Sequence, residues 1–327
     1  NDAGTARTGT SDPMLIAFSD QENELDFEPT NANTAGSLRL SEGSVIIGAV
    51  KARQEILIWT DTSMFSMQFI GPPFTFGVSL INKGVGLIAP NAAITGPNAV
   101  YWMGYDSFYS YNGSVAKIPC PVLTYVFEDM NNDQQFKTIA FTNNEFNEVG
   151  WFYCSSSSTE IDRYVVYNYL EQAWSYGNLS RTYWLDRGTK NYPRAVSNNY
   201  LYEHEFGYND DGSPMTGVFI ESSDFDIGDG EQFAFINRIV PDVRFLNNSA
   251  AGKVNMVLKT RNFPGESLST SSTNQVGSDT TQVFTRARAR QGVLRLESDD
   301  DASGTGNNDT GWRLGATRLD VRTDGRR

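Results

Sequence analysis

Residues 56–71 read ILIWTDTSMFSMQFIG, an apolar run that ends in Trp59, a short polar turn and an aromatic-rich stretch closed by glycine. The same order of features recurs around Trp102 and Trp151, and more weakly at residues 200–207. The three Trp residues are 43 and 49 positions apart, close to the roughly 40–50 residues of one β-propeller blade. One blade cannot bury both of its faces, so the repeats predict an all-β fold of successive stacked sheets.

The third repeat has the clearest strand pattern, because apolar residues alternate along it and Gly, Asn and Asp mark its turns. We predict four strands there, at 137–141, 148–154, 163–169 and 173–176. Longer alternating strands are predicted at 253–259 and within 283–296. No amphipathic helix longer than two turns is predicted.

These patterns divide the chain into three regions. Residues 1–14 are rich in Gly, Thr and Asp and are predicted to be a linker or a disordered end. Residues 15–235 hold the Trp/Tyr repeats and are predicted to form a β-propeller-like domain. Residues 236–327 are predicted to form a C-terminal β-sandwich or sheet, in which the polar low-complexity segment 265–281 is a mobile loop.

The chain is acidic, with a net charge of −13 over 327 residues. Residues 1–252 carry 14 Lys and Arg against 30 Asp and Glu, whereas residues 253–327 carry 12 against 9. Tight binding of nucleic acid needs a basic surface, so the acidity argues against it but allows DNA to slide past. The basic tail and the acidic body are expected to meet at interfaces between neighbouring copies. No apolar run is long enough for a membrane span.

Residues suited to catalysis are scarce. His204 is the single histidine, and its neighbours Glu203 and Glu205 are expected to favour its charged form. It is interpreted as a hydrogen-bonded strand residue, and no nucleophile elbow, zinc-binding helix or phosphate loop occurs. Cys120 and Cys154 lack zinc-ligand spacing and are interpreted as two buried thiols, with a disulfide as the alternative. The sequence therefore predicts no enzyme, no cofactor and no metal.

Acidic residues cluster in two loops and in a third segment near the C-terminus. The loop residues are Asp210, Asp211, Asp224, Asp226, Asp229 and Glu231. Residues 299–304 begin like a calcium loop, but Thr310 stands where a bidentate Glu is required. We interpret these clusters as solvated turns, with calcium binding as the alternative. A carboxylate pair for glycoside hydrolysis needs a separation of roughly 5–10 Å, which the sequence cannot locate, and the Asp boxes of sialidase propellers are missing.

A row of arginines marks the last region. Arg286, Arg288 and Arg290 alternate strictly, and Arg295 follows. On a strand the first three point to one face and the intervening alanines to the other. Such a row suits pairing with carboxylates of an adjacent subunit, or less readily with DNA phosphates. The alternative is an edge strand kept soluble by charge.

Several segments together resemble one family of phage tail proteins. They are FSDQEN at 18–23, DFEP at 26–29, WTD at 59–61, GPPF at 71–74, YSYNG at 109–113, DRYVVYNY at 162–169, LYEHE at 201–205, DDG at 210–212, GWRLG at 311–315 and DGRR at 324–327. The family comprises tail tubular protein B and packaged-DNA stabilisation proteins, which form the nozzle of short-tailed phages. Phe18 and Phe27 stand where the family has Trp. Family members extend further at the N-terminus, so this chain is expected to be a C-terminal portion.

The resemblance implies a structural virion protein of the phage tail, assembled in the host cytoplasm. It implies a homohexameric ring below a tail adaptor ring, with tail fibres or tip proteins attached outside. The ring retains packaged DNA and opens a channel for its ejection, and DNA passes without specific binding. The acidic loop residues are then candidate channel or gate elements, and the four arginines are candidate contacts to other subunits or to the adaptor.

A protein of a different class is the alternative. A β-propeller that binds or cleaves host surface glycans would use aromatic loop residues to stack on sugars. The missing Asp boxes count against it.

Overall fold

The computed structural model describes residues 11–213, 215, 217–228, 230–247, 252–299 and 310–326. Its regular structure is almost entirely antiparallel β-sheet, which confirms the predicted all-β class. The chain divides into two compact units, residues 1–205 and 206–327.

The first unit consists of a hairpin followed by four sheets. The hairpin pairs β1 (Leu15–Phe18) with β2 (Gly36–Arg39). The first sheet contains β3 (Ile46–Lys51), β4 (Ile56–Thr60), β5 (Ser63–Gly71) and β6 (Thr75–Lys83). The second contains β7 (Ala93–Thr95), β8 (Val100–Met103), β9 (Phe108–Tyr111) and β10 (Val115–Lys117). The third contains β11 (Ile139–Asn143), β12 (Glu148–Tyr153), β13 (Arg163–Asn168) and β14 (Ala173–Asn178). The fourth contains β15 (Tyr183–Leu185), β16 (Arg194–Ser197) and β17 (Tyr200–Glu203).

Each of these sheets is an antiparallel meander in chain order. The first strands of consecutive sheets contact one another, β3 with β7, β7 with β11 and β11 with β15, which is the arrangement of propeller blades. The four strands predicted for the third repeat are confirmed to within two residues at each end. The helix α1 (Leu123–Asp129) and a 3-10 helix at Asn132–Lys137 join the second and third sheets. In the described part of the chain, neither is long and apolar enough to cross a bilayer.

The run at residues 56–59 is continuously apolar because β4 is buried on both faces. Leu57 and Trp59 lie in the large core that the first three sheets share. Ile58 points the other way, into a cluster with Phe65 and Met14 beneath the β1–β2 hairpin. Successive side chains of a strand point to opposite faces, so the apolar residues of this one run are divided between two cores. The sheets of the repeats therefore stack with apolar contacts on both sides.

The described residues of the second unit form three sheets. Its strands are β18 (Phe219–Glu221), β19 (Phe225–Asp226), β20 (Ala234–Val240), β21 (Val243–Asn247), β22 (Lys253–Arg261), β23 (Ser269–Gly277), β24 (Val283–Ala289), β25 (Gln291–Ser298), β26 (Thr310–Leu314) and β27 (Arg318–Thr323). One sheet has the order β18-β25-β22-β23, with β19 also on β25, and the others are β24-β20-β27 and β21-β26. Val254 and Met256 of β22 pack on Ile239 of β20 and Val283 of β24, which makes a sandwich-like core.

The division between the units differs from the predicted boundary at 235. Residues 206–235 belong to the second unit, because β18 and β19 pair with β25. The Trp/Tyr repeats therefore end with β17, and the chain beyond it extends the C-terminal sheet.

Described residues of two segments differ from what the sequence predicted for them. Residues 1–10 lie outside the described residues, but the end of the predicted linker belongs to the fold: Met14 is buried, and Asp12 pairs with Arg39 at 2.8 Å. The predicted mobile loop 265–281 contains β23, which pairs with β22 along its length and buries Val276. Most of its Ser and Thr residues are exposed on an edge strand, so their polarity did not indicate a loop.

Candidate functional site

A buried amide joins two carboxylates at the edge of the third sheet. The Nδ2 atom of Asn143 donates to Oε2 of Glu148 at 3.3 Å and to Oε1 of Glu205 at 3.2 Å. Asn143 is 2% exposed, and its Oδ1 atom is buried without a hydrogen-bond partner among the described residues. Asn143 and Glu148 face each other across the β11–β12 hairpin, and Glu205 follows the last strand of the fourth sheet. We call these three residues the carboxylate–amide cluster.

Contacts from the fourth sheet hold this hairpin in place. The indole N–H of Trp184 donates to the carbonyl of Thr142 at 2.9 Å, next to Asn143. Oδ2 of Asp186 accepts from the backbone N–H of Asn144 at 3.2 Å and from its side chain at 2.5 Å. Glu205 has a left-handed backbone, with φ of 60°, and this turn brings its side chain to Asn143. The cluster therefore bridges two consecutive sheets.

The electrostatics of the cluster favour the protonated acids. Burial of the carboxyl group and the adjacent charge of Glu205 raise the pKa of Glu148 to about 7, against the opposing hydrogen bond from Asn143. Burial also raises the pKa of Glu205, although the residue as a whole is exposed, and the charge of Glu145 adds to the effect. Burial followed by both glutamate charges raises the pKa of Tyr164. Acidic groups that lie close together and away from water cannot all ionise without a large cost in free energy.

His204 contacts an arginine and a tryptophan. Nε of Arg181 donates to Nε2 of His204 at 2.8 Å, so Nε2 is the acceptor in this arrangement. The ring also packs on Trp184, with centroids 4.8 Å apart, and Glu203 pairs with Arg194 at 2.8 Å instead of with the histidine.

The predicted gate residues lie in the second unit, in two separate loops. Asp210 and Asp211 form an exposed turn in which Asp210 and Ser213 exchange backbone hydrogen bonds of 2.8 and 2.9 Å. Asp224 is ion-paired with Arg261, and Glu231 lies 3.7 Å from Arg326. Asp226 is on β19, and Asp229 lies outside the described residues.

The strand that carries the predicted arginine row ends at a bend before Arg290, yet Arg288 and Arg290 both lie over the ring of Phe233, at 3.9 and 5.0 Å. Arg286 and Arg288 are exposed on β24 with alanines buried behind them. Arg290 lies at the bend that follows, where the chain passes from the sheet of β24 to that of β25, so 283–296 is two strands. Arg288 donates to Oδ2 of Asp324 at 2.5 Å and covers the ring of Phe233 at 3.9 Å.

Much of the positive charge of the tail is neutralised within the unit. Arg295 pairs with Glu297 at 2.6 Å, and Lys259 pairs with Glu221 at 2.5 Å. Acidic residues of 206–252 and basic residues of 253–327 thus meet inside one chain, as Glu221 and Lys259 do. Among the described residues, Arg286 forms no ion pair.

The sequence did not point to the carboxylate–amide cluster. Asn143 and Glu148 are hairpin partners, which the strand prediction placed close together, but Glu205 is 62 positions from Asn143. Its side chain reaches the cluster through the packing of the fourth sheet on the third. A Glu directly after a predicted strand is common on protein surfaces, so the sequence does not indicate that Glu205 lies near Asn143.

The calcium-like segment lies mostly in the undescribed part of the chain. Of its residues only Asp299 is described, and its carboxylate accepts from Asn255 at 3.4 Å and from Gln275 at 2.5 Å. The two cysteines carry free thiols, and burial raises the pKa of the Cys120 thiol to about 11.

Comparisons with known proteins add little. No protein-family model and no curated protein matches the chain. Among solved structures, one described as "Glycoside hydrolase" has a TM-score of 0.28 and 11% sequence identity, over 77% of this chain and 80% of that chain.

Proposed function

We propose that this chain is a structural protein of the tail nozzle of a short-tailed phage, which retains packaged DNA and forms part of the channel for its ejection. The proposal rests on the resemblance of its sequence segments and on one structural observation, an apolar face of the fourth sheet that no other described element of the first unit covers. In this proposal the protein is a component of a homohexameric virion ring, adjoining the adaptor ring and tail fibres or tip proteins, and is not an enzyme.

The uncovered face belongs to the fourth sheet. Tyr183, Val196 and Leu201 are register neighbours across β15, β16 and β17, so their side chains share one face with Leu185. Tyr183, Leu185 and Leu201 are 52%, 55% and 60% exposed. The opposite face is packed, with Trp184 8% exposed. We call the four exposed residues the end face.

An end face of this kind is unusual for the last element of a stacked series. Terminal repeats need a polar outer surface or a cap, because otherwise apolar area remains in water. At the other end of the series, the β1–β2 hairpin covers Ile58 and Phe65 in this way. A contiguous apolar patch on a soluble protein marks an interaction surface, so the end face favours a protein that assembles.

The charge of the first unit is compatible with a channel component. Residues 1–205 carry 22 Asp and Glu against 12 Lys and Arg, a net of −10. Like charge repels phosphate, so DNA passes such a surface without being held. The acidic loop residues Asp210 and Asp211 are exposed and stay candidates for the channel lining. The pairing of Asp224 with Arg261 makes it a weaker candidate.

Native mass measurement tests the proposal. We expect the protein, mixed with its adaptor ring, to give a mass of six protomers, and Leu185→Lys or Leu201→Lys to reduce the assembled fraction. Thr189→Lys, in an exposed turn of the same unit, is the matched control and should assemble normally. A protein that stays monomeric beside the adaptor ring would contradict the nozzle proposal.

The alternative, a propeller that cleaves host surface glycans, is favoured by the pKa of Glu148, since a raised pKa suits a general acid. Against it, the buried amide of Asn143 lies between the two carboxylates, where the sugar would need to enter. Hydrolysis of host polysaccharide that is lost in Glu148→Gln would support this alternative and overturn a purely structural role.

A further inference from the structure

The hairpin formed by β5 and β6 ends in an exposed apolar segment. We call this segment, residues 69–74 with the sequence FIGPPF, the hairpin tip. Its large side chains Phe69, Ile70 and Phe74 are 70%, 58% and 72% exposed, and both of its prolines are exposed as well. None of the residues 62–82 carries a charge. A contiguous apolar patch of this kind marks a surface that interacts with a protein or a membrane.

The tip projects from its sheet. Strand β4 pairs with β5 only as far as Met67, and beyond that residue β5 pairs with β6 alone. At about 3.3 Å per residue, the last three residues of β5 carry the tip about 10 Å past the sheet. Phe69 pairs in register with Phe76, so their rings share one face of the ribbon, whereas Ile70 lies on the other face and covers Gly77. The tip is therefore apolar on both faces.

The backbone of the tip needs little water. Pro72 and Pro73 have no N–H to satisfy. The N–H of Phe74 donates to the carbonyl of Gly71 at 3.2 Å, and the N–H of Phe76 donates to the carbonyl of Phe74 at 2.6 Å. Unpaired backbone groups make it costly for a turn to enter an apolar medium. Four of the five residues from Pro72 to Phe76 have no N–H or a bonded one, so this cost is small here.

We propose that the hairpin tip inserts into the interface of a lipid bilayer and binds the protein reversibly to membranes. Fluid lipid surrounds a projecting tip on every side, whereas a protein partner would need a matching groove. Protein interfaces also carry about one hydrogen bond per 100–200 Å², and the side chains of the tip have no hydrogen-bonding group. A projection of about 10 Å matches the 5–10 Å to which interfacial apolar groups are buried in a bilayer. This inference goes beyond the proposed nozzle function and does not depend on it.

The charge beside the tip determines which lipids it suits. Oγ1 of Thr75 donates to the carbonyl of Thr34 at 3.4 Å, and Thr34 donates twice to Oδ1 of Asp20, at 2.7 Å each. The tip therefore adjoins the loop of the β1–β2 hairpin, in which residues 20–28 include five carboxylates and no basic residue. Anionic lipids repel such a loop within a Debye length, about 10 Å at 0.1 M salt. Zwitterionic lipids should therefore bind the protein better than anionic ones.

Flotation of the full chain with vesicles of phosphatidylcholine, and with vesicles that also contain phosphatidylglycerol, tests the proposal. We expect binding to the neutral vesicles, and weaker binding to the anionic ones that recovers as the salt concentration is raised. Ile70→Glu and Phe74→Glu should each weaken binding at least tenfold and leave the unfolding temperature nearly unchanged, because both side chains are exposed. Phe263→Glu is the matched control and should bind like the unchanged protein, since Phe263 is 60% exposed in the turn between β22 and β23 of the second unit.

Phe74→Trp shows whether the tip itself enters the lipid. Its added fluorescence, relative to the unchanged protein, should be quenched by phosphatidylcholine that is brominated on the acyl chains. Vesicle binding without this quenching would mean that another surface is responsible, and would overturn the proposal. Equal vesicle binding by both Glu variants would do the same. Self-association that is lost in Phe74→Glu, with no vesicle binding by the unchanged protein, would also overturn it and would identify a second copy as the partner of the tip.

Discussion

The indole N–H of Trp151 donates a hydrogen bond of 2.9 Å to the backbone carbonyl of Ala92, which directly precedes the first strand of the neighbouring sheet. Trp184 of the fourth sheet donates in the same way to Thr142, in the first strand of the third sheet, at 2.9 Å. Trp102 donates to Val85, in the segment that joins the first and second sheets, at 3.2 Å. Trp151 and Trp184 are thus clamps between consecutive sheets as well as core residues.

Replacing Trp151 by Phe should destabilise the protein by about 2–4 kcal/mol, since it leaves a cavity and removes one of the two hydrogen bonds that the carbonyl of Ala92 accepts, the other coming from the backbone N–H of Met103 at 3.1 Å. Trp59→Phe is the matched control, because Trp59 is equally buried but its Nε1 atom has no partner among the described residues. Denaturant unfolding should show a loss smaller by about 1 kcal/mol for the control. Equal losses would mean that the clamp hydrogen bond contributes nothing to stability.

Gly150→Ala should be more damaging than its size suggests. An added Cβ atom would lie 2.4 Å from Cζ of Phe141 and 2.9 Å from Cγ2 of Val166, inside a packed sheet. Overpacking of this kind costs about 1–3 kcal/mol. Gly277→Ala is the control, since the nearest atom there is a side-chain oxygen of Asp279 at 3.3 Å. We expect thermal unfolding to shift clearly for the first variant and by little for the second.

These residues show how far the sequence leads. The Trp spacing and the alternation around residues 137–176 predicted the sheets and the strands of the third repeat, because those signals are local. The partners of the clamps were not predictable, since a backbone carbonyl such as that of Ala92 has no sequence signature. The unit boundary was also missed, because β18 and β19 are strands of three and two residues that form only by pairing with β25.

The candidate functional residues were likewise predictable where the signal is local and unpredictable where it depends on packing between sheets. Alternation placed Arg286 and Arg288 on one exposed face correctly, but it could not show that the strand ends before Arg290. The carboxylate–amide cluster was beyond prediction, because the proximity of Glu205 to Glu148 is a product of packing between sheets. Glu148 itself looks like any strand-edge glutamate until its burial is known.

Stability should fall as the pH rises from about 4.5 to about 7. The pKa of Glu148 is raised in the folded state from its usual 4.5 to about 7, so over this range the folded protein binds the proton and the unfolded chain does not. The full shift corresponds to about 3 kcal/mol, and solvent screening of this half-exposed group reduces it to about 1–2 kcal/mol.

Glu148→Gln should remove this part of the pH dependence, since glutamine does not titrate. Unfolding curves at pH 4.5, 6 and 7.5 measure it, with Glu171→Gln, in an exposed turn, as the control. An unchanged pH profile in the Glu148 variant would show that its carboxyl group is not the one responsible.

Arg286 and Arg288 provide a direct test of the predicted contact between copies. They are exposed on the same face of β24, but Arg288 is engaged with Asp324 and Phe233. Arg288→Ala should therefore cost stability, although less than about 1 kcal/mol, because the ion pair is exposed to water. Arg286→Glu should leave the free energy of unfolding unchanged and should weaken assembly, since reversing a charge at an interface places like charges together. Unfolding and native mass should be measured on both variants. If Arg286→Glu assembles as the unchanged protein does, this arginine does not contact another subunit, and the solvated edge strand becomes the better interpretation of β24.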